Sequence, residues 1–221
     1  MDMNTLPTID PTTLGDNVPR RHGKFAPRLA RAFLDKAGWR ITGEIPNISQ
    51  AVLLAVPHTS NMDGVYAIPT LLALDVDIKL LGKKQLFKLP ILSHFLRWAG
   101  VIAIDRDKKG SVLQANINRF KTGKPLFLGL SPEGTRGYTD EWKTGFYYLA
   151  LGADVPILPV AMDYNTKEVR FMPLFYPTGD IEADLPKIYA YYNGVQGRHV
   201  DKMSGPLQDL SKWWLRYTQP T

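Results

Sequence analysis

The segment 51–63 reads AVLLAVPHTSNMD, and it is the part of the sequence that decides the fold. Six consecutive apolar residues, 51–56, are typical of a β-strand that is buried on both faces. Pro57 cannot donate to a strand ladder, so the strand is expected to end there. Three residues that favour helix N-caps follow at 59–61, before an apolar segment from Gly64 to Leu74. The segment therefore predicts a strand, a tight turn and a helix.

The alternation of apolar strands with helical segments continues on both sides of this stretch. Further strands are predicted at 39–43, 78–81, 101–104, 126–130, 157–162 and 169–175. Further helices are predicted at 25–37, 88–98, 112–121, 146–151, 181–192 and 206–217. Strands that alternate with helices indicate an α/β protein. We therefore expect a single-domain αβ sandwich in which helices flank a central, mixed sheet.

The composition is that of a globular protein with one domain. The chain has 221 residues, of which 44% are hydrophobic and 22% charged, so a substantial core can form. Residues 1–24 contain several prolines and are predicted to form an extended N-terminal arm before a domain at 25–221. The absence of cysteine excludes disulfides and thiolate catalysis. The four histidines are dispersed, so we expect no metal site.

The charge balance is basic and points to an anionic partner. Lysine and arginine total 27 against 21 acidic residues, a formal net charge of +6. Such a balance favours nucleic acid, an anionic membrane surface or an acidic substrate. The helix predicted at 25–37 carries Phe25, Leu29 and Phe33 on one side, which either packs on the core or lies among lipid headgroups. No apolar run approaches the roughly 20 residues of a membrane span, so we expect membrane contact only at the surface.

A histidine and a carboxylate lie on either side of the predicted turn. His58 precedes Asp63 by five positions, and residues five apart on a regular helix do not face each other. The two side chains can therefore meet only if His58 lies on the turn before the helix. Asp63 would then accept a hydrogen bond from one ring nitrogen and leave the other as a general base for a substrate hydroxyl. A histidine near a strand end also occurs for purely structural reasons.

A second polar segment, Ser131-Pro132-Glu133-Gly134-Thr135-Arg136, follows the predicted strand at 126–130. Arg136 can hold a phosphate with two hydrogen bonds, Thr135 can donate a hydroxyl, and Gly134 lets the backbone approach closely. Taken alone, the segment is more typical of a surface turn with a local ion pair. Together with the histidine and its carboxylate, it suits transfer of an acyl group to a hydroxyl of a phosphate-bearing acceptor.

These segments closely resemble motifs of the glycerolipid acyltransferase family, typified by the 1-acylglycerol-3-phosphate acyltransferases. Residues 58–63 resemble its first motif, in which a histidine precedes an aspartate by five positions, and 131–136 resemble its third, Phe-Pro-Glu-Gly-Thr-Arg. Residues 100–106 and 155–160 resemble its second and fourth motifs, in the family's order. The resemblance spans roughly residues 38–180, and four motifs in sequence make it specific.

The resemblance implies a role for each matching residue. His58 would deprotonate the acceptor hydroxyl, which attacks a thioester carbonyl without an acyl-enzyme, and Asp63 would orient and stabilise the histidine. Pro159 would belong to the wall near the acyl donor. The residues implied in holding the acceptor's phosphate are Arg106, Glu133, Gly134, Thr135 and Arg136. The sequence departs from the family pattern at two flanking positions, with Pro57 in place of Asn and Ser131 in place of Phe.

The resemblance also implies the partners. The donor is expected to be acyl-CoA or acyl carrier protein and the acceptor a lysophospholipid, with no cofactor and no nucleic acid. The protein is expected to be cytoplasmic and peripheral on the inner face of an anionic membrane. Two alternatives remain open from the residues themselves. One is a non-catalytic basic module that binds lipid or nucleic acid, and the other is a hydrolase with Ser131 as nucleophile, although no Gly-x-Ser-x-Gly elbow surrounds this serine.

Overall fold

The protein folds as a sheet with helices on both faces. The structure, a computed structural model, describes residues 6–104 and 109–208. Its strands are β1 (Arg40–Gly43), β2 (Gln50–Val56), β3 (Ile78–Lys83), β4 (Val101–Ile104), β5 (Leu126–Leu130), β6 (Ile157–Asp163) and β7 (Glu168–Phe171). Its α-helices are α1 (Ala26–Ala37), α2 (Met62–Ala73), α3 (Pro90–Trp98), α4 (Lys109–Phe120), α5 (Gly145–Ala153), α6 (Ile181–Ala190) and α7 (Gly205–Gln208).

The sheet is mixed, as the sequence predicts. Its strand order is β1-β7-β6-β2-β5-β3-β4. The five strands from β6 to β4 run parallel to their neighbours, β7 is antiparallel to β6, and β1 is parallel to β7. Strand β2 lies at the centre, between β6 and β5, which explains why its sequence is an uninterrupted apolar run.

Two apolar clusters cover the two faces of this sheet. Leu54 of β2 belongs to the cluster that contains Phe146 of α5, and the adjacent Leu53 belongs to the cluster that contains Leu34 of α1 and Leu71 of α2. Alternate residues of one strand thus enter different cores. The α4 and α5 layer and the α1 and α2 layer therefore lie on opposite faces.

The N-terminal residues pack against the sheet. The backbone N–H of Ile9 donates to the carbonyl of Ile41 at 2.9 Å, and the side chains of Ile9 and Val18 are buried. Both side chains belong to the same cluster as Leu34. The segment predicted to be an extended arm thus contributes to the core.

Two local predictions differ from the structure in detail. The side chain of Asn61 makes no capping hydrogen bond; the Ser60 hydroxyl instead accepts from the Met62 N–H at 3.1 Å. Strand β7 ends at Phe171 rather than at residue 175, because Pro173 has no N–H to continue a ladder. Most of the helix predicted at 206–217 lies outside the described residues. Within the described ranges, no helix is long and apolar enough to cross a membrane.

Candidate active site

Three strand ends bring the candidate site together. Strands β5 and β6 both pair in parallel with β2, so their carboxyl ends lie at the same edge of the sheet. His58 follows β2, Glu133 follows β5 and Tyr164 follows β6. Residues that are far apart in sequence therefore meet at the crevice where ligands of open α/β sheets bind.

The turn after β2 folds around the carboxylate of Asp63. His58 Nδ1 lies 2.9 Å from Asp63 Oδ2, and the backbone N–H groups of Thr59 and Ser60 donate to the same oxygen at 2.9 Å each. The acceptor is a carboxylate, so Nδ1 carries the ring proton and Nε2 has the lone pair that can accept one. This geometry places His58 on the turn before the helix.

Asp63 is held as an anion although it is only 3% exposed. Burial by itself raises the pKa of its carboxyl group, but hydrogen bonds from His58, the Ser60 amide and Tyr164 outweigh burial and hold the pKa below its usual range. The carboxylate therefore remains charged and keeps its hydrogen bond to the imidazole.

Tyr164 supplies the contact to the second oxygen of Asp63. Its hydroxyl donates to Asp63 Oδ1 at 2.8 Å. Burial and the adjacent carboxylate raise the pKa of Tyr164 well above its usual range, so the phenol stays protonated and keeps donating. Its ring is fixed by an edge contact with Trp39, whose centroid lies 4.9 Å away, and Trp39 stacks on Tyr66 at 4.3 Å.

Glu133 lies behind His58 rather than in the cleft. Its Oε2 accepts the backbone N–H of His58, and its Oε1 accepts the Ser204 hydroxyl at 3.1 Å. Burial raises the pKa of the Glu133 carboxyl above its usual range, although the hydrogen bonds from His58 and Ser204 act in the opposite direction. The resemblance implied contact with phosphate, whereas this placement suits holding the backbone that carries His58.

The loop 193–204 packs against the turn that carries His58. The backbone N–H of His199 donates to the Thr59 hydroxyl at 3.2 Å. A Cβ at Gly197 would lie 2.9 Å from Thr59 Cγ2 and 3.1 Å from Pro57 Cγ, so only glycine fits there without movement. The Ser204 hydroxyl also accepts from the buried indole N–H of Trp142 at 2.8 Å. The loop thus contacts both the turn after β2, through Thr59, and the segment after β5, through Glu133.

A cleft of about 1030 Å³ opens beside His58. Its rim carries Ser131, Gly134, Thr135, Arg136, Lys143 and Lys202, with Glu141 as the acidic group among its described lining residues. Its interior is formed by apolar side chains of β3, α4 and α5, namely Leu81, Val112, Leu113, Phe146 and Leu149. The cleft therefore combines a basic mouth, which suits an anion, with an apolar interior, which suits an alkyl chain.

The remaining predicted residues are placed as follows. Arg106 lies outside the described residues, two positions after the end of β4. Pro159 is buried in β6, opposite Leu54 in register, and is not one of the described residues that line the cleft. The Ser131 hydroxyl is directed to Glu133 Oε2 at 3.4 Å. Among the described residues, no group of three or more potential ligands is placed to hold a metal ion.

Sequence reasoning did not identify Tyr164, Ser204 or the loop that contains Gly197. The only available signal for Tyr164 was its position shortly after the strand predicted at 157–162. Ser204 and Gly197 lie in a segment without apolar periodicity, and no local pattern marks them.

Comparisons with known proteins identify the family of the chain. A sequence profile of the family described as Acyltransferase matches residues 38–163, more than half of the chain. The 1-acyl-sn-glycerol-3-phosphate acyltransferase of Salmonella typhimurium (strain LT2) is 30% identical over 154 residues, and the match covers 67% of this chain and 61% of that protein. The protein of the same name from Escherichia coli (strain K12) is 28% identical over 185 residues, covering 80% and 73%.

One solved structure shows the same fold. The 1-acyl-sn-glycerophosphate (LPA) acyltransferase PlsC from Thermotoga maritima superposes with a TM-score of 0.53 at 18% identity, over 89% of this chain and 80% of that one. At this identity the likeness concerns the fold alone. The sequence profile, the identity with the Salmonella protein and the shared fold agree, and the chain therefore belongs to the acyltransferase family.

Proposed function

We propose that this protein transfers an acyl group from an acyl thioester to a hydroxyl of a lysophospholipid or a similar glycerol phosphate. The observation that carries the proposal is the His58–Asp63 pair, placed at the mouth of a cleft with a basic rim and an apolar interior. Family membership supports the reaction class. The printed names of the relatives support the acceptor class, although the chain spans only about three fifths of the Salmonella protein.

The proposed chemistry is one direct displacement. The acceptor hydroxyl oxygen attacks the thioester carbonyl carbon while His58 Nε2 takes the hydroxyl proton. Asp63 stabilises the imidazolium that forms, and the tetrahedral intermediate then collapses with cleavage of the carbon–sulfur bond. The imidazolium returns its proton to the departing thiolate, so the products are an ester and a free thiol and the histidine is regenerated.

The basic rim is proposed to hold the acceptor's phosphate. Arg136 is exposed at the cleft, and Thr135 lies beside it with a hydroxyl that can donate. A guanidinium binds phosphate through two parallel hydrogen bonds, and a second cation on the rim adds attraction without direct contact. Arg106 is proposed to join them from the end of β4 on the strength of the motif.

The apolar interior is proposed to hold the acyl chain. Phe146 and Leu149 of α5 and Leu113 of α4 line it, and each CH₂ that leaves water contributes about 0.8 kcal/mol. The donor would be acyl-CoA or acyl carrier protein. Both donors occur in the cytoplasm, so the proposal includes a peripheral position on the inner face of the membrane that contains the acceptor.

An acyl-transfer assay of the purified protein tests this function. Acyl-CoA is supplied with lysophosphatidic acid or with monoacylglycerol, which lacks the phosphate, and released thiol and esterified product are both measured. We expect ester formation to prefer the phosphate-bearing acceptor. His58→Ala should reduce the rate by about 10²–10⁴-fold without loss of folding, because it removes the base.

Ser131→Ala is the matched control and should retain most of the activity. Thiol release without ester formation, abolished in Ser131→Ala and retained in His58→Ala, would instead show a serine hydrolase. A protein that binds lipid and releases no thiol from acyl-CoA with either acceptor would be a non-catalytic lipid-binding module.

A further inference from the structure

Two stretches of the chain contain basic residues and no acidic ones. Residues 17–34 and 78–104 each hold five lysines or arginines, and neither contains an aspartate or glutamate. The first stretch leads into and forms most of α1, and the second includes β3, α3 and β4. Ten of the chain's 27 basic residues thus lie in stretches that have no acidic residue of their own, and two of them, Arg20 and Lys79, form ion pairs with Asp75 and Asp77 outside these stretches.

The same two stretches expose large apolar side chains. Seven of the thirteen exposed large apolar residues in the described chain lie there. On α3, Ile91 is 89% and Leu89 64% exposed, and at the start of α1, Phe25 is 74% and Leu29 72% exposed. Side chains this large are rarely left this open in contiguous groups unless something covers them.

Arg21 joins the two stretches into one surface. Its guanidinium donates to the carbonyl of Trp98 at the end of α3 and lies over the Trp98 ring, 5.2 Å from the centroid. The backbone N–H of Arg21 donates to the carbonyl of Asp75 at 3.0 Å, which anchors the segment to the loop that follows α2. The start of α1 and the end of α3 are therefore held close together.

We propose that α1 and α3 form one face that inserts shallowly into an anionic lipid bilayer. This α1–α3 face is defined by Phe25, Leu29, Leu89, Ile91 and Trp98 together with the basic residues of the two stretches. The proposal rests on the proposed function in taking a lipid acceptor. It adds that α3, and not the N-terminal helix alone, contacts the membrane.

The chemistry of the face favours a bilayer over other occupants. Exposed apolar side chains beside an excess of cations match acyl chains beneath anionic headgroups. A second copy of the chain would bring like charges together across the interface. A nucleic acid could meet the cations and stack on Phe25 or Trp98, but it would leave the exposed Leu29, Leu89 and Ile91 without an apolar partner.

The position of α3 also suits delivery of the acceptor. Strand β3 carries the cleft-lining residues Leu81 and Gly82 and continues through a 3₁₀ turn at Lys84–Lys88 into α3. Insertion of α3 would therefore bring one wall of the cleft close to the lipid headgroups. A lysophospholipid could then present its hydroxyl and phosphate at the cleft while its own chain remains in the bilayer.

Paired substitutions in the full chain test the role of α3. Leu89→Gln with Ile91→Gln removes apolar surface that the fold does not bury. Cosedimentation with phosphatidylglycerol vesicles, without substrates, should show about tenfold weaker binding. Leu151→Gln with Tyr176→Gln removes exposed apolar surface outside the two stretches and should leave binding unchanged. Equal binding by both double variants and the wild type would overturn the proposal.

Tryptophan fluorescence gives a second, direct readout. Trp98 is half exposed, whereas Trp39 and Trp142 are buried. Trp213 and Trp214 lie outside the described residues, so both are replaced by Phe in the protein used for this measurement. Vesicles with brominated acyl chains should quench the emission of this parent variant, and a further Trp98→Phe substitution should remove most of that quenching. Quenching that is the same with and without Trp98→Phe would show that α3 does not enter the bilayer.

The outcomes separate this proposal from the proposed function. Vesicle binding that depends on Leu89 and Ile91, without any acyl transfer, would support the membrane-binding face and contradict the proposed acyl transfer. Acyl transfer to a soluble short-chain acceptor, with no vesicle binding, would support the proposed function and contradict the membrane-binding face. Sedimentation velocity also tests whether the chain associates with itself. Self-association that is abolished by Leu89→Gln with Ile91→Gln would show that the face binds a second copy of the chain, and it would overturn the proposal that the face binds a bilayer.

Discussion

At the scale of single residues, Asp63 determines the geometry of the candidate site. Its Oδ2 accepts hydrogen bonds from the imidazole of His58 and from two backbone amides of the turn. Its Oδ1 accepts a hydrogen bond from the Tyr164 hydroxyl. All four contacts favour the charged carboxylate. Both the orientation of the histidine and the shape of the turn therefore depend on Asp63 staying ionised.

Tyr164→Phe should reduce kcat by about tenfold with little change in KM, because a positioning contact is lost and no substrate contact is removed. The hydrogen bond from Tyr164 lowers the pKa of Asp63, so its removal raises that pKa. Asp63 then becomes protonated at a higher pH, and the acid limb of the pH–rate profile should move to higher pH. The profile is measured by thiol release across the acid range.

Tyr66→Phe provides the control for this prediction. Tyr66 belongs to the same aromatic group and stacks on Trp39, but its hydroxyl is not the one that contacts Asp63. Tyr66→Phe should therefore leave the acid limb of the pH–rate profile at the same pH as in the wild type. If both variants lower the thermal midpoint and neither moves the acid limb, Tyr164 has only a packing role.

At the scale of elements, the parallel strands β2, β5 and β6 explain how much of the site the sequence could predict. The apolar runs predict where each strand ends, and the polar residues after β2 and β5 are recognisable as site candidates. The order of the strands in the sheet cannot be predicted from any single segment of sequence. The contact between Tyr164 and Asp63, which are 101 positions apart, could therefore not be predicted. The role of Glu133 behind His58 likewise depends on the register between β2 and β5.

The loop 193–204 is the least predictable element of the site. Its sequence has no period that indicates a helix or strand, yet it contacts Thr59 through His199 and Glu133 through Ser204. Its position is determined by tertiary contacts rather than by local propensity. A close approach at Gly197 is the physical constraint that a sequence alone does not reveal.

Gly197→Ala should lower both kcat and the thermal midpoint. The added Cβ would lie 2.9 Å from two atoms of the Thr59 side chain, so either the loop or the turn that carries His58 must shift by several tenths of an ångström. If His58 is the general base, its displacement should lower the rate roughly tenfold. The variant is compared with wild type by thiol release and thermal unfolding.

Gly64→Ala is the matched control. Gly64 lies in α2 one position after Asp63, and a Cβ there would meet nothing within 4 Å. This variant should keep its activity and unfold at a slightly higher temperature, since alanine favours a helix interior by about 1 kcal/mol over glycine. Full activity in Gly197→Ala would show that the loop does not constrain the turn.

At the scale of the whole molecule, the segment 6–24 contributes side chains to the core. Ile9 and Val18 are buried with Leu34 of α1 in the cluster beneath the sheet. Prolines and charge in the first 24 residues predict an arm, but they do not reveal that these few apolar side chains dock on the sheet. Deletion of residues 1–37 would therefore expose the core, and point substitutions on the exposed side of α1 and α3 separate membrane binding from folding.

The distribution of charge over the whole molecule predicts how salt affects the reaction. Ten basic residues lie in the two acid-free stretches, outside the cleft rim, and their attraction to anionic lipid is screened at distances beyond the Debye length. Activity on lysophosphatidic acid in phosphatidylglycerol vesicles should fall severalfold between about 0.05 and about 0.5 M NaCl. Activity on a soluble short-chain acceptor should fall much less, because the proposed contact between Arg136 and its phosphate acts at a distance shorter than the Debye length. An equal loss on both acceptors would place the effect of salt at the cleft, and the acid-free stretches would then have no part in bringing the enzyme to its substrate.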